Sequence, residues 1–224
     1  MQKNDASFRK HRHVGLANHP RKGITMSLTQ WAVIDDFATL FQYCWYRDFP
    51  IDDKGSVGAK RTDWTIHIGI VVRMVGDLLG FVTRFERGGR KDAMLRSREG
   101  DEIAVEWEWG GSWEQELKKL KDPGRIWRVD PNAPKVLKYG VLITYGGETD
   151  SELKEDYKKA EGAWRHAPWP LLLILIRTKK SAKYSSGREF TEITMAKISG
   201  DSEPISLRSA NAFPWNITAT RWSI

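Results

Sequence analysis

Apolar residues recur along this chain in two periods, and the switches between those periods outline its elements. From Ser27 to about Tyr46, Trp31, Ile34, Phe37, Leu40, Phe41 and Cys44 step by three and four, the spacing of one helix face. A polar, glycine-containing stretch from Asp52 to Arg61 follows. The helical period returns with Trp64, Ile68, Val71, Val75 and Leu78. It predicts a second helix from an N-cap at Thr62 or Asp63 to Leu79, stopped by Gly80. The period then shortens to two. Phe81–Arg87 alternates up to Gly88-Gly89, Lys91–Arg96 forms a second strand, and Glu102–Trp109 a third after the 98–101 turn. Turns this short force neighbouring strands antiparallel, so the three should form a meander.

Gly110-Gly111 breaks the chain, and Ser112 with Gln115 has capping-box spacing for a third helix. That helix carries Trp113, Leu117 and Leu120 on one face and ends at Asp122-Pro123-Gly124. Val136–Tyr145 reads as a buried strand, and a strand–helix–strand passage of this length implies a right-handed crossover and a parallel pair. Residues 151–165 are amphipathic, with Leu153, Tyr157, Ala160 and Trp164 inward. Pro170–Thr178 is a wholly apolar strand, and residues 188–198 alternate and can pair with it across a lysine-rich tip. The order α-βββ-α-β-α-ββ predicts an α/β fold, a mixed β-sheet flanked by helices. Three segments result: a basic N-terminal arm at 1–25, a helical lead-in and linker at 26–61, and an α/β domain at 62–224. Met26 offers an alternative natural start after the arm.

Composition narrows the setting. Of 224 residues 40% are hydrophobic, enough for a sizeable core. The single cysteine, Cys44, excludes an internal disulfide and any multi-cysteine metal site. The longest apolar run, Trp169–Ile176, falls far short of the ~20 residues that cross a bilayer, and the N-terminus lacks an apolar leader. A soluble protein of a reducing, cytoplasmic compartment is expected. Net charge is +7, concentrated in two places. Residues 1–23 hold Lys3, Arg9, Lys10, Arg12, Arg21 and Lys22 against Asp5 alone, and Arg177, Lys179, Lys180, Lys183 and Arg188 follow Ile176. Such clusters suit a phosphate backbone, with Arg9, Lys10, Arg12, Lys179, Lys180 and Lys183 as candidate nucleic-acid contacts. They equally describe a solubilising tail and a solvated hairpin tip. Most of the eleven tryptophans should be core.

The chemical signal lies in the meander. Ile103, Val105, Trp107 and Trp109 share one face of the third strand, and Glu106 and Glu108 share the other, about 6–7 Å apart along it. Asp92, on the neighbouring strand, can sit beside Glu106. Carboxylates brought together in this way repel one another unless a hard cation neutralises them, and oxygen-only ligation fits Mg²⁺ or Mn²⁺.

Lys91-Asp92, thirteen intervening residues and then Glu106-Trp107-Glu108 resemble the motif of the PD-(D/E)XK nuclease superfamily. In that family an acid on the second strand precedes an acid, any residue and lysine on the third. The resemblance spans roughly residues 62–178 and implies a restriction-endonuclease-like fold. It implies metal-dependent hydrolysis of DNA, with Asp92 and Glu106 as metal ligands and Glu108 activating water. Lys91 stands where the family often has proline, and Glu108 replaces the motif lysine. The family often adds an acid from the preceding helix, for which Asp63 and Asp77 are the candidates.

Read without the family, Glu-Trp-Glu-Trp also fits an amphipathic strand with one solvated face, its glutamates pairing with Arg96 or Lys91. Lys118 and Lys119 could supply the missing ammonium, although a solvated helix face is their simpler reading. His67 reads as a packed, hydrogen-bonded histidine and Cys44 as core. No GxGxxG, P-loop, zinc-protease or nucleophile-elbow motif is present. The expectation is a metal-dependent DNA nuclease, with a homodimer compatible. The alternative is a catalytically inactive module of the same fold that binds nucleic acid or protein.

Overall fold

The computed structural model describes residues 28–47, 49, 61–87, 91–109, 113–124, 126–180, 188–200 and 202–212. The expectations for the arm (Arg9, Lys10 and Arg12 included), for the linker up to residue 60, for the Ser112 cap and for Lys183 lie outside the described residues. The chain folds as α1 (Leu28–Tyr46), α2 (Arg61–Leu78), β1 (Val82–Arg87), β2 (Lys91–Arg96), β3 (Asp101–Glu108) and α3 (Trp113–Lys121). Then come β4 (Tyr139–Gly146), α4 (Asp150–Trp164), β5 (Leu171–Lys180), β6 (Arg188–Ile198) and β7 (Ile205–Asn211).

The seven strands form one sheet in chain order, β1 to β7. Short turns make β1, β2 and β3 antiparallel, while the connections carrying α3 and α4 make β3, β4 and β5 parallel. The β5–β6 and β6–β7 joins are antiparallel again. The sheet is therefore mixed, with a parallel centre between antiparallel wings.

Strand alternation sorts side chains between two apolar layers. Ala93, Leu95, Ile103, Val105, Val141, Leu172 and Ile174 pack with α1 and α2, including Phe37, Phe41, Trp45, Trp64 and Val71. Met94, Ala104, Leu142, Leu171 and Leu173 pack on the other side with α3 and α4, through Leu117, Leu120, Ala160 and Trp164. Leu171–Ile176 of β5 are buried on both faces, as their unbroken apolar run requires.

Several local expectations are met. α2 stops at Leu78, just before Gly80, whose φ of 78° lets the Phe81 N–H reach back to the Gly76 carbonyl at 2.8 Å. The helix starts at Arg61, ahead of the expected cap at Thr62 or Asp63. The amphipathic helix expected at 151–165 is α4, and its start is set by a reciprocal capping box between Thr149 and Glu152 that the sequence reading did not single out. Cys44 is fully buried, and the buried His67 ring has its Nε2 3.1 Å from the Trp45 carbonyl oxygen.

Two features differ from the sequence reading. α1, expected as a lead-in, contributes Ile34, Phe37, Phe41 and Trp45 to the same core as the sheet. A seventh strand, β7, was not expected. Its side chains are mostly exposed, and α1 holds it: Trp45 Nε1 donates to the Ala212 carbonyl at 2.8 Å and Tyr46 Oη to that of Asn211 at 2.6 Å. Among the described residues no helix is long and apolar enough to cross a membrane.

Candidate active site

On the α3 side of the sheet, Asp92 and Glu106 interrupt the apolar layer. Ala93 pairs with Val105 across β2 and β3, so the next step of the antiparallel register sets Asp92 beside Glu106. Both side chains point toward α3, as Met94 and Ala104 do. Asp92 is fixed by the backbone: its Oδ2 accepts the Trp107 N–H at 2.8 Å. Glu106 is fully buried. The solvated-face reading of that residue is thereby overturned, because the helix of a parallel crossover must lie over the sheet it crosses.

α3 brings two more charged groups to the spot. Leu117 and Leu120 seat the helix, and Glu116 shares their buried side. Glu116 Oε2 accepts directly from Lys119 Nζ, one turn further on. The same ammonium stands 3.8 Å from Glu106 Oε2, an ion pair too long to be a hydrogen bond. The Glu106 carboxyl lies within reach of both Asp92 and Glu116. With all charges present, Oε1 and Oε2 of Glu106 are buried without a hydrogen-bond donor; a proton on Glu106 could be shared with the neighbouring Asp92 or Glu116 carboxyl.

The titration behaviour follows. Burial, and then the negative charge of Asp92, push the Glu106 carboxyl up to about 9. Burial also raises Asp92 to about 6, against the hydrogen bond from Trp107. Burial works to lower the Lys119 ammonium, but Glu116, Glu106 and Asp92 together outweigh it and hold it above its ordinary value.

A fully buried carboxylate with both oxygens orphaned needs a proton or a cation. Two adjacent carboxylates with oxygen donors fit a small hard cation, with Asp92 and Glu106 as the residues to hold it. Among the described residues no group of three or more His, Cys, Asp or Glu side chains is arranged to hold a metal ion. Glu116 is close by, but its carboxylate is taken up by Lys119.

The remaining sequence candidates fall as follows. Glu108 lies two residues along the same strand, half-buried, with its Oε1 accepting the Trp109 N–H at 2.8 Å. Asp63 and Asp77 are exposed on α2, which covers the opposite face of the sheet, so neither joins the site. Arg96, proposed as a partner of the glutamates, instead binds Asp101 at 2.7 Å. Lys118 is on the exposed side of α3, as expected; Lys119 is not. Lys179 is exposed near the end of β5, opposite Glu189, and Lys180 follows it opposite Arg188. Arg177 is half-buried and tied into the sheet rather than part of a solvated tip. It binds Glu192 at 2.7 Å and Asp150 at 3.0 Å, and donates to the carbonyls of Gly147 and Glu148.

Sequence reasoning passed over Glu116. The signal was present, since a carboxylate three residues after Trp113 and four before Leu120 falls inside the apolar stripe. Comparison of the chain with protein-family models, with curated proteins and with solved structures gives no match.

Proposed function

We propose that this protein hydrolyses phosphodiester bonds in DNA with the help of Mg²⁺ or Mn²⁺, and that its fold is a variant of the restriction-endonuclease-like core. The observation that carries the reading is Glu106: a fully buried carboxylate, neither oxygen hydrogen-bonded, beside Asp92 and facing an ammonium 3.8 Å away. Such a group is expensive to bury, and a cation that it ligates removes the penalty.

Asp92 and Glu106 would hold the cation, which when bound polarises the phosphate and eases ionisation of the attacking water. Glu108 would take the proton from that water, after turning away from the Trp109 N–H. The water oxygen forms a new bond to phosphorus as one ester P–O bond breaks. The products are a phosphate monoester and an alcohol, whose oxygen takes a proton from solvent. Lys119, aimed at Glu106 from α3, would stabilise the growing negative charge on the phosphate, the service that the missing motif lysine would otherwise provide. Lys179 and Lys180 lie toward the same end of the sheet as Glu108 and would meet the flanking backbone.

The test is a cleavage assay on mixed DNA and RNA substrates with Mg²⁺, Mn²⁺ or chelator, using wild type and Glu106→Gln. Cleavage that needs the metal and is lost in the variant supports the reading. One feature favours a second reading, a non-hydrolytic binding module of the same fold: Glu108 replaces the motif lysine and is tied to the Trp109 backbone. Metal binding and DNA binding without cleavage would select it.

A further inference from the structure

We propose that Glu116 is a positioning residue of this site: it holds the Lys119 ammonium beside Glu106 and is not itself a ligand of the cation. The inference rests on the metal-dependent reading above.

Glu116 is a buried polar residue on the seated side of α3. Its carboxylate binds Lys119 Nζ directly, whereas Glu106 stands 3.8 Å from that nitrogen. The ammonium thus belongs to Glu116 and faces Glu106 across a gap. A lysine stem is long and flexible, and this one is half-exposed, so a partner one turn back on the same helix sets where its charge lies. The charge balance agrees. Lys119 neutralises Glu116, which leaves Asp92 and Glu106 with two negative charges for one divalent cation. Glu116 Oε2 has Lys119 as its hydrogen-bond partner, whereas neither buried oxygen of Glu106 accepts a hydrogen bond, so Glu106 rather than Glu116 has its oxygens open to a cation.

Two consequences follow for variants. Without Glu116, Lys119 has Glu106 as its nearest counter-charge and opposes the cation there. Without Lys119, Glu116 becomes an extra negative charge beside the cation and attracts it. Losing both restores the original balance, provided Glu116 is not a ligand.

The experiment is a double-mutant cycle on the full chain, with Glu116→Gln, Lys119→Gln and the double variant. Mn²⁺ binding is followed by electron paramagnetic resonance and DNA cleavage in parallel; thermal unfolding checks that each variant is folded. We expect Lys119→Gln to bind Mn²⁺ about fivefold tighter, yet to cleave about 100-fold more slowly. Glu116→Gln should bind Mn²⁺ about fivefold more weakly and lose about tenfold in kcat with KM little changed. The double variant should bind Mn²⁺ within about threefold of wild type and cleave no worse than Lys119→Gln alone. Mn²⁺ binding at least about tenfold weaker than wild type in the double variant would make Glu116 a ligand and overturn the inference alone. Unchanged kcat in Glu116→Gln would also overturn it alone. Absence of Mn²⁺ binding in the wild type would overturn this inference together with the reading beneath it.

Discussion

At the scale of single residues, the proposed chemistry concentrates on Glu106. Alternation along β3 places Glu106 and Glu108 on one face and four apolar residues on the other, and that much is legible in the sequence. Alternation cannot say whether the polar face is covered. The crossover helix decides it, and the cover extends over Glu106 while leaving Glu108 half-buried. Burial has a measurable consequence. Between its ordinary value near 4.5 and about 9, Glu106 holds a proton in the native state that the unfolded chain releases. The contribution of Glu106 to native stability without metal is therefore fully present below about pH 4.5 and is lost as pH rises toward 9, by up to about 1.4 kcal/mol per pH unit. Asp92 adds a slope of the same sign between 3.8 and about 6. Urea unfolding in chelator at pH 5, 7 and 9 should show the decline, and Glu106→Gln should flatten it above pH 6. A decline as steep in Glu106→Gln as in wild type would contradict its assignment to the buried Glu106 carboxyl.

At the scale of elements, α3 turns a strand motif into a site. It spans nine residues, too short to be stable alone, so its position depends on Leu117 and Leu120. Leu120→Ala should lower stability by about 2–5 kcal/mol. It should also reduce metal-dependent cleavage under conditions where the variant remains folded, because Lys119 moves with the helix; an unaffected rate would show that α3 does not position the chemistry. Arg177 performs the corresponding task for α4, pairing with Glu192 on β6 and joining β5 to the β4–α4 turn and the start of α4 through two carbonyls and Asp150. Arg177→Ala should destabilise by about 2–3 kcal/mol in chemical denaturation. A change under about 0.5 kcal/mol would return it to the status of a surface cation.

The bounds of β2 and β6 can be read from the sequence because their alternation is bounded by turn residues. β7 could not be read, since Ile205–Asn211 has little apolar alternation and packs few side chains inward. It is an edge strand that depends on partners distant in sequence: Arg208, for example, reaches Gln42 and Thr39 of α1.

At the scale of the whole molecule, the parallel centre of the sheet gives the site its location. Ligands of open α/β sheets bind beyond the carboxyl ends of parallel strands, and Glu106 and Glu108 lie at that end of β3. Glu108 is level with Thr144 and so with Leu175, which puts Lys179 about 13 Å further on toward the same end. The sequence located these basic residues but not their relation to the carboxylates, which the strand order supplies. The basic arm adds a net +5 over residues 1–23. Removing it should weaken duplex DNA binding and reduce the salt slope by up to about 4.5; an unchanged slope would make the arm irrelevant to binding.

The central claim is that Glu106 is buried to hold a cation that performs hydrolysis, and the most direct measurement is a paired Mn²⁺ titration and DNA cleavage assay on wild type and Glu106→Gln. Gln keeps the size and hydrogen-bonding capacity of the side chain and removes its charge. The account predicts that Mn²⁺ binding and cleavage fall together, by about 100-fold or more in rate, while DNA binding persists. Full cleavage in Glu106→Gln, or wild-type cleavage that is indifferent to chelator, would contradict it.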